Sequence, residues 1–263
     1  MAAEPDYREF APRASLRDAV HCVWTFEAPF DDAPQPIAPD GRCELIIQCG
    51  APYREGDGGL QPRVLFAGQI TQPLTLFATG PVSVVGVRLR PEAARAFIGR
   101  RADTLTDQRV ALSDLHGADA DDLATGGDLN AVVERAQSYI EERMRSRAID
   151  ASVAAAVAAM MAGEEAPPSV LSERQWQRRF KGEVGVSPRE FQSVLRFRRV
   201  FDEIDKPGPP GWVEAALAAG YFDQPQMARD FRRYLGVSPR QWVTQRIGLA
   251  KALTVAPETY KKS

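Results

Sequence analysis

Two segments of the chain set arginine, lysine and glutamine at helical spacing. In one, Arg174, Gln177, Arg178 and Lys181 recur at intervals of three and four; in the other, Pro225, Arg229 and Arg232 do so, with Gln224 and Gln226 beside them. Residues three and four apart share one face of a helix. An arginine can present its fork to a guanine edge or grip a phosphate, and a glutamine can pair with adenine. The chemistry on offer is recognition of nucleic acid. A solvated basic surface has the same composition, so one such segment alone would not separate the two readings.

Residue sets for bond-making chemistry are missing. The chain has no Gly-x-Ser-x-Gly elbow, no phosphate loop and no dinucleotide fingerprint. His21 and Cys22 are adjacent, but neighbours in a strand point to opposite faces, which does not suit a thiol and its base. The three cysteines, Cys22, Cys43 and Cys49, make an odd number without paired spacing, and the two histidines, His21 and His116, supply few ligands. Buried free thiols acting as small hydrophobes are the simpler reading. Asp31, Asp32, Asp119, Asp121 and Asp122 lie in polar, loop-like stretches and read as solvated surface. The expectation is a protein that is not an enzyme and needs neither metal nor cofactor.

The basic faces sit inside an internal repeat. Phe180 to Phe191 aligns without gaps to Phe231 to Trp242 at an offset of 51 residues, and both copies hold Gly-Val-Ser-Pro-Arg. Two copies are too few for a stacked solenoid and point to a tandem pair of modules. Ser172…Gln175, Ser187…Glu190, Asp223…Gln226 and Ser238…Gln241 each pair a capping residue with Glu or Gln three later, a helix-start signature. Pro188 and Pro239 take first helical positions, and Gly185 and Gly236 fall where the preceding helices must stop. Each copy therefore reads as helix, tight turn, helix. Trp176 with Phe180, and Met227 with Phe231, form the apolar stripes opposite the basic faces. Arg189 to Ile204 reads as one long helix between the modules, able to hold them about one DNA turn, roughly 34 Å, apart.

Ala216-Leu-Ala-Ala-Gly-Tyr-Phe-Asp-Gln224, continuing through Phe231-Arg-Arg-Tyr-Leu-Gly-Val-Ser-Pro-Arg-Gln-Trp242, resembles the signature of AraC/XylS-type transcriptional regulators, and Ser172 to Phe191 resembles the end of their first helix-turn-helix. The resemblance covers about a hundred residues, from near Asp150 to Gln245. It implies two helix-turn-helix units, bridged by a long helix, on adjacent major-groove segments of double-stranded DNA. Ser172–Lys181 and Asp223–Arg233 would be the recognition helices. Pro39-Asp40-Gly41 and Gly86-Val-Arg-Leu-Arg-Pro91 resemble an uncharacterised domain often fused to this module.

One departure stands out. Subtracting 51 from the second unit's support helix, Trp212 to Ala219, lands on Met161 to Pro168, whose Gly163, Pro167 and Pro168 forbid a like helix. The first unit is expected to lack its support, leaving sequence reading to Asp223–Arg233 and phosphate contact to Ser172–Lys181, the alternative being that the Ala-rich helix from Ala151 swings in as a substitute support. The same gap keeps open a second reading, a helical protein-interaction module whose DNA contact is degenerate.

The rest of the chain frames this module. Val20–Phe26, Glu44–Cys49, Val64–Ala67, Leu74–Phe77 and Val82–Leu89 read as short strands between Pro- and Gly-rich turns. Pro91 opens a short helix to Ile98, 103–127 reads as irregular, and helices follow from Leu129 and from about Ala151 to Met161. The fold class is α+β: a strand-rich, barrel-like domain over 1–145 (129–145 a linker helix), then an all-α tandem helix-turn-helix over 150–250, with 251–263 a tail. A strand-built barrel can enclose a ligand. Trp24, Phe26, Phe66, Phe77, Arg88 and Arg90 are candidates to line or gate it, a plain aromatic core being the alternative. The first domain is expected to sense a small-molecule effector, to form a homodimer, or both, and contact with RNA polymerase is a further expectation.

The net charge of −2 hides an asymmetry: Pro167 to Lys251 holds 15 Lys and Arg against 9 Asp and Glu, a balance of +6 that leaves −8 for the rest. An acidic body joined to a basic module suits a chain of which one part meets nucleic acid. The acidic N-terminus does not read as a secretory signal, and the apolar run Val153–Ala162 is far shorter than the roughly 20 residues of a membrane span. A cytoplasmic protein with no membrane contact is expected.

Overall fold

The computed structural model describes residues 4–56, 58–204 and 211–245; the expected tail, 251–263, lies outside the described residues, as do positions 246–250 of the helical segment. The first part holds strands β1 (Asp6–Phe10), β2 (Val20–Ala28), β3 (Gln35–Ile37), β4 (Glu44–Gln48), β5 (Arg54–Glu55), β6 (Val64–Ala67), β7 (Leu74–Phe77), β8 (Val82–Leu89) and β9 (Arg109–Ala111), with helices α1 (Ala94–Ile98), α2 (Leu112–His116) and α3 (Leu129–Met144). The stretch 103–127, expected to be irregular, contains β9, α2 and two 3-10 turns. Each is five residues or fewer, or a turn, too short to show a period.

Six strands pair antiparallel in the order β1-β2-β8-β4-β6-β9, and three more form a separate sheet, β3-β7-β5. The expected barrel does not close: β1 and β9 are the free edges of the larger sheet. Strand alternation gives that sheet two buried faces. Val23, Leu45, Ile47, Phe66, Val85 and Val87 join Val132, Ala136 and Ile140 of α3 in one core. Cys22, Trp24, Phe26 and Val84 face the small sheet, where Ile37, Leu74 and Leu76 meet them. Gly86 lies opposite Trp24 in the pairing, and a Cβ there would come within 2.0 Å of the indole. Only glycine lets the ring lie flat across the sheet.

The helical part comprises α4 (Ala151–Ala162), α5 (Glu173–Val184), α6 (Pro188–Ile204), α7 (Trp212–Ala218), α8 (Gln224–Leu235) and α9 (Pro239–Gln245). Two apolar clusters hold it. Val153, Ala156, Val157 and Met160 of α4 pack on Phe180, Val184, Val186 and Phe191. Ala215 and Ala216 of α7 pack on Met227, Phe231 and Tyr234 of α8, on Trp242, and on Val194, Phe197, Val200 and Phe201 of α6. The long helix thus serves both clusters, with Phe191 in one and Phe197 in the other.

The first unit therefore has a support helix, contrary to the sequence expectation. It is α4, displaced toward the N-terminus, with residues 163–171 inserted between it and α5. A gap-free offset cannot see a helix shifted by an insertion. Asp150 caps α4, accepting from the backbone N–H groups of Ser152 and Val153, and also accepts from Arg179 of α5, which ties the two helices at one end.

The two parts touch over a broad seam. The buried Glu183 of α5 pairs with Arg95 of α1, Thr106 donates to the Gly185 carbonyl at 2.6 Å, and Phe191 lies against Gly41.

Candidate nucleic-acid interface

Local chemistry sets the basic faces. Ser172 and Gln175 form a reciprocal capping box at the start of α5, and Asp223 accepts from the Gln226 N–H at the start of α8. Both helices end at glycines in left-handed geometry, Gly185 with φ +104° and Gly236 with φ +72°. That conformation is strained for any residue with a Cβ, and it turns the chain sharply into α6 and α9.

With the buried stripes turned inward, Arg174, Gln177, Arg178 and Lys181 of α5 are exposed, as are Gln224, Arg229 and Arg232 of α8. Gln226 is half-buried and its side-chain oxygen accepts from the Phe222 N–H, so it serves the helix start. Gln177 donates to Glu173 at 3.0 Å. Among the described residues, Arg174, Arg178, Lys181, Arg229 and Arg232 have no side-chain ion pair or hydrogen bond. Their neighbours differ: Arg179 is paired with Asp150, Arg233 with Glu190, and Arg196 with Asp230. Gln224, Pro225, Ala228, Arg229 and Arg232 surround a shallow concavity on the outer side of α8.

The candidates for ligand contact are scattered. Trp24 lines a cavity between the two sheets, and Phe26 belongs to the same apolar cluster. Phe66 is on the other face of the large sheet, in the core under α3, and half-buried Phe77 lies beneath Arg54. Arg90 is exposed and donates to the Arg17 carbonyl, away from the cavity. Arg88 is buried among three carboxylates: Glu44 at 2.7 Å, Asp40 at 3.3 Å and Glu9 at 3.4 Å. Burial pushes the Glu44 carboxyl above its ordinary range despite Arg88. Burial acts on Asp40 in the same sense, but Arg88, Arg42 and Arg198 outweigh it and hold that carboxyl low. Asp40 therefore feels the charge of Arg198 on α6 as well as pairing with Arg88. Sequence reasoning singled out Arg88 and Asp40 without this connection. It passed over Glu44, Tyr53, Arg95 and Glu183, whose roles depend on contacts distant in sequence.

Capped helices that stand on support helices, end at left-handed glycines and present cationic faces define a tandem helix-turn-helix DNA-binding domain. Residues 170–245 match the profile of a helix-turn-helix domain, and residues 8–111 match a domain of unknown function (DUF6597). The chain thus carries an AraC-type helix-turn-helix domain behind that domain. No curated protein matches the chain in sequence. Solved structures similar to it include ToxT from Vibrio cholerae. At 9% identity and a TM-score of 0.45, the match covers 94% of this chain and 100% of that one. An apo variant of ToxT from the same organism matches at 10% identity and a TM-score of 0.45, covering 86% and 97% of the two chains. ToxT with an unsaturated fatty acid bound matches at 11% identity and a TM-score of 0.43, covering 84% and 94%. Among the described residues, no helix is long and apolar enough to cross a membrane.

Proposed function

We propose that this protein is a sequence-specific DNA-binding transcription regulator, with Arg174, Gln177, Arg178, Lys181, Gln224, Arg229 and Arg232 facing the DNA and the strand-rich part responding to a small effector. The observation that carries the reading is the set of five cationic side chains, on two capped helices, that are exposed and unpaired among the described residues, while their neighbours Arg179, Arg233 and Arg196 are paired. A guanidinium without an internal carboxylate meets phosphate or a base edge without first breaking an ion pair. The bridging α6, 17 residues and so about 25 Å long, carries both units on one rigid element. The division at residues 145–150 belongs to this proposal, as do homodimerisation, contact with RNA polymerase and a place in the compartment that holds the DNA. The rival protein-interaction reading drew its support from an unsupported first unit, and α4 removes that ground.

The test is anisotropy of the full chain on its own upstream duplex across a salt series. Log affinity should fall with log salt at about −0.9 per phosphate neutralised, hence a slope of roughly −3 to −5 for the five cations. Affinity that stays level from low to physiological salt would overturn the proposal.

A further inference from the structure

The repeat gives each unit one left-handed glycine at the end of its basic helix, Gly185 after α5 and Gly236 after α8. Both lie against the same loop of the strand-rich part, residues 68–73 between β6 and β7. A Cβ on Gly185 would come within 3.0 Å of the Gln69 side chain, and one on Gly236 would meet the Pro73 ring at 3.6 Å. One short loop thus reaches both units. Thr71, midway along it, lines the groove between them, together with Lys181 of α5 and Arg233 of α8.

The loop is held in shape by a strained residue. Asp107 has φ +58°, and among the described residues no other non-glycine residue has a positive φ. Such a conformation persists only where the surroundings over-determine it. Here the Asp107 carboxylate accepts from the Thr71 N–H and the Thr71 hydroxyl, both at 2.6 Å, and from the Gln72 N–H at 3.2 Å. The Asp107 N–H in turn donates to the Gln69 carbonyl at 2.8 Å. Gly68 starts the loop, and a Cβ there would strike the Leu105 carbonyl oxygen at 1.9 Å, so the two segments lie backbone to backbone. Thr106, next to Asp107, reaches the first unit itself through the Gly185 carbonyl.

The units also meet directly, since Glu190 of α6 accepts from Arg233 and Tyr234 of α8 at 2.6 and 2.8 Å. Glu190 belongs to the bridging helix, so that contact leaves the units free to turn about α6. The loop adds bearings on both units that do not pass through α6.

We propose that the 68–73 loop is a spacer that fixes the separation of α5 and α8, and that Asp107 is its positioning residue. On the regulator reading, on which this consequence rests, the strand-rich part thereby sets which spacing of two base-pair sets the protein accepts in duplex DNA. One inserted base pair moves a set by about 3.4 Å and turns it by about 35°. A recognition site must be held to roughly 0.5 Å.

Distances between spin labels at Gln177→Cys and Gln224→Cys test the spacer without DNA, in a Cys49→Ser background whose other cysteines, Cys22 and Cys43, are buried. The distribution should be narrow in that parent and about twice as wide in Asp107→Gly, which keeps the positive φ and removes every acceptor. Asp107→Asn, which tolerates the left-handed region and keeps one oxygen, should stay close to the parent. Anisotropy of the unlabelled full chain follows on its upstream duplex, with one base pair inserted between the two segments that footprinting shows protected. The insertion should weaken the unaltered chain about tenfold and Asp107→Gly less than about threefold. The salt slope of Asp107→Gly should match that of the unaltered chain, because no phosphate contact has gone. A cooperative thermal transition shows the variant folded; if it is lost, Thr71→Val, which removes one donor and keeps the shape, decides on the same two readouts. A folded variant with the parent's distance distribution, or with undiminished sensitivity to the insertion, would overturn the spacer. A widened distribution in a chain that shows no salt-dependent DNA binding would overturn the regulator reading alone.

Discussion

Arg178 and Arg229 occupy matching positions, each two residues before the buried phenylalanine of its unit, Phe180 and Phe231, and each is exposed and, among the described residues, unpaired. With α4 under α5 and α7 under α8, both side chains are held by packed helices, so both should read bases. Arg178→Ala and Arg229→Ala should each cost about 1–3 kcal/mol in DNA affinity and relax preference at particular base pairs. Arg179→Ala, which removes a group already paired with Asp150, should change affinity far less. Binding to matched and singly substituted duplexes decides it: if Arg178→Ala weakens every sequence alike, the first unit grips phosphate only. These exposed faces were legible because helical period alone separates them from Trp176, Phe180, Met227 and Phe231. Arg88 and Tyr53 were not so legible. What surrounds a side chain between two sheets is decided by strands distant in sequence, and pattern within one strand does not report it.

At the scale of elements, α4 carries the first unit. Phe180 is fully buried, with its ring centroid 5.9 Å from that of Trp176 and 5.8 Å from that of Phe191, so it joins α4, α5 and α6. Phe180→Ala should cost about 3–5 kcal/mol, the usual range for emptying a well-packed aromatic site. The midpoint of urea unfolding measures it, and a loss below about 1 kcal/mol would mean that α4 does not hold α5. The helix itself was readable from its alanine and valine content and its Asp150 cap. Its partnership with α5 was readable only as an alternative, because residues 163–171 break the repeat's register. Whether the sheet closes was beyond local pattern: short strands at regular spacing suit a barrel and two stacked sheets equally, and register among distant strands chooses between them.

Across the whole molecule, Asp40 stands beside a joint, since the next residue, Gly41, lies against Phe191 and Leu195 of α6. Asp40 lies in the turn that follows β3, makes an ion pair with Arg88 at 3.3 Å, and is stabilised as a carboxylate by Arg198 of α6 as well. Removing one partner of a buried ion network leaves charge uncompensated and typically costs about 3–5 kcal/mol. Asp40→Asn should lower stability by that order. In a double-mutant cycle with Arg198→Gln, the two changes should be non-additive by at least about 0.5 kcal/mol. Additive losses would show that Asp40 serves the sheet alone and that the seam near it carries no coupling.

By itself the sequence determined the local rules: the caps at Ser172 and Asp223, the stops at Gly185 and Gly236, the strand Val82–Leu89 and the basic faces. Each depends on residues within a few positions of one another, where spacing translates directly into geometry. The tertiary structure alone decided that α4 supports α5, that the sheets stay separate, that the Tyr53 hydroxyl is buried, and that Asp40 pairs with Arg88 while Gly41 beside it meets α6. Those are contacts between distant segments, selected by the total burial and pairing that the whole chain can achieve at once, and no window of sequence contains that comparison.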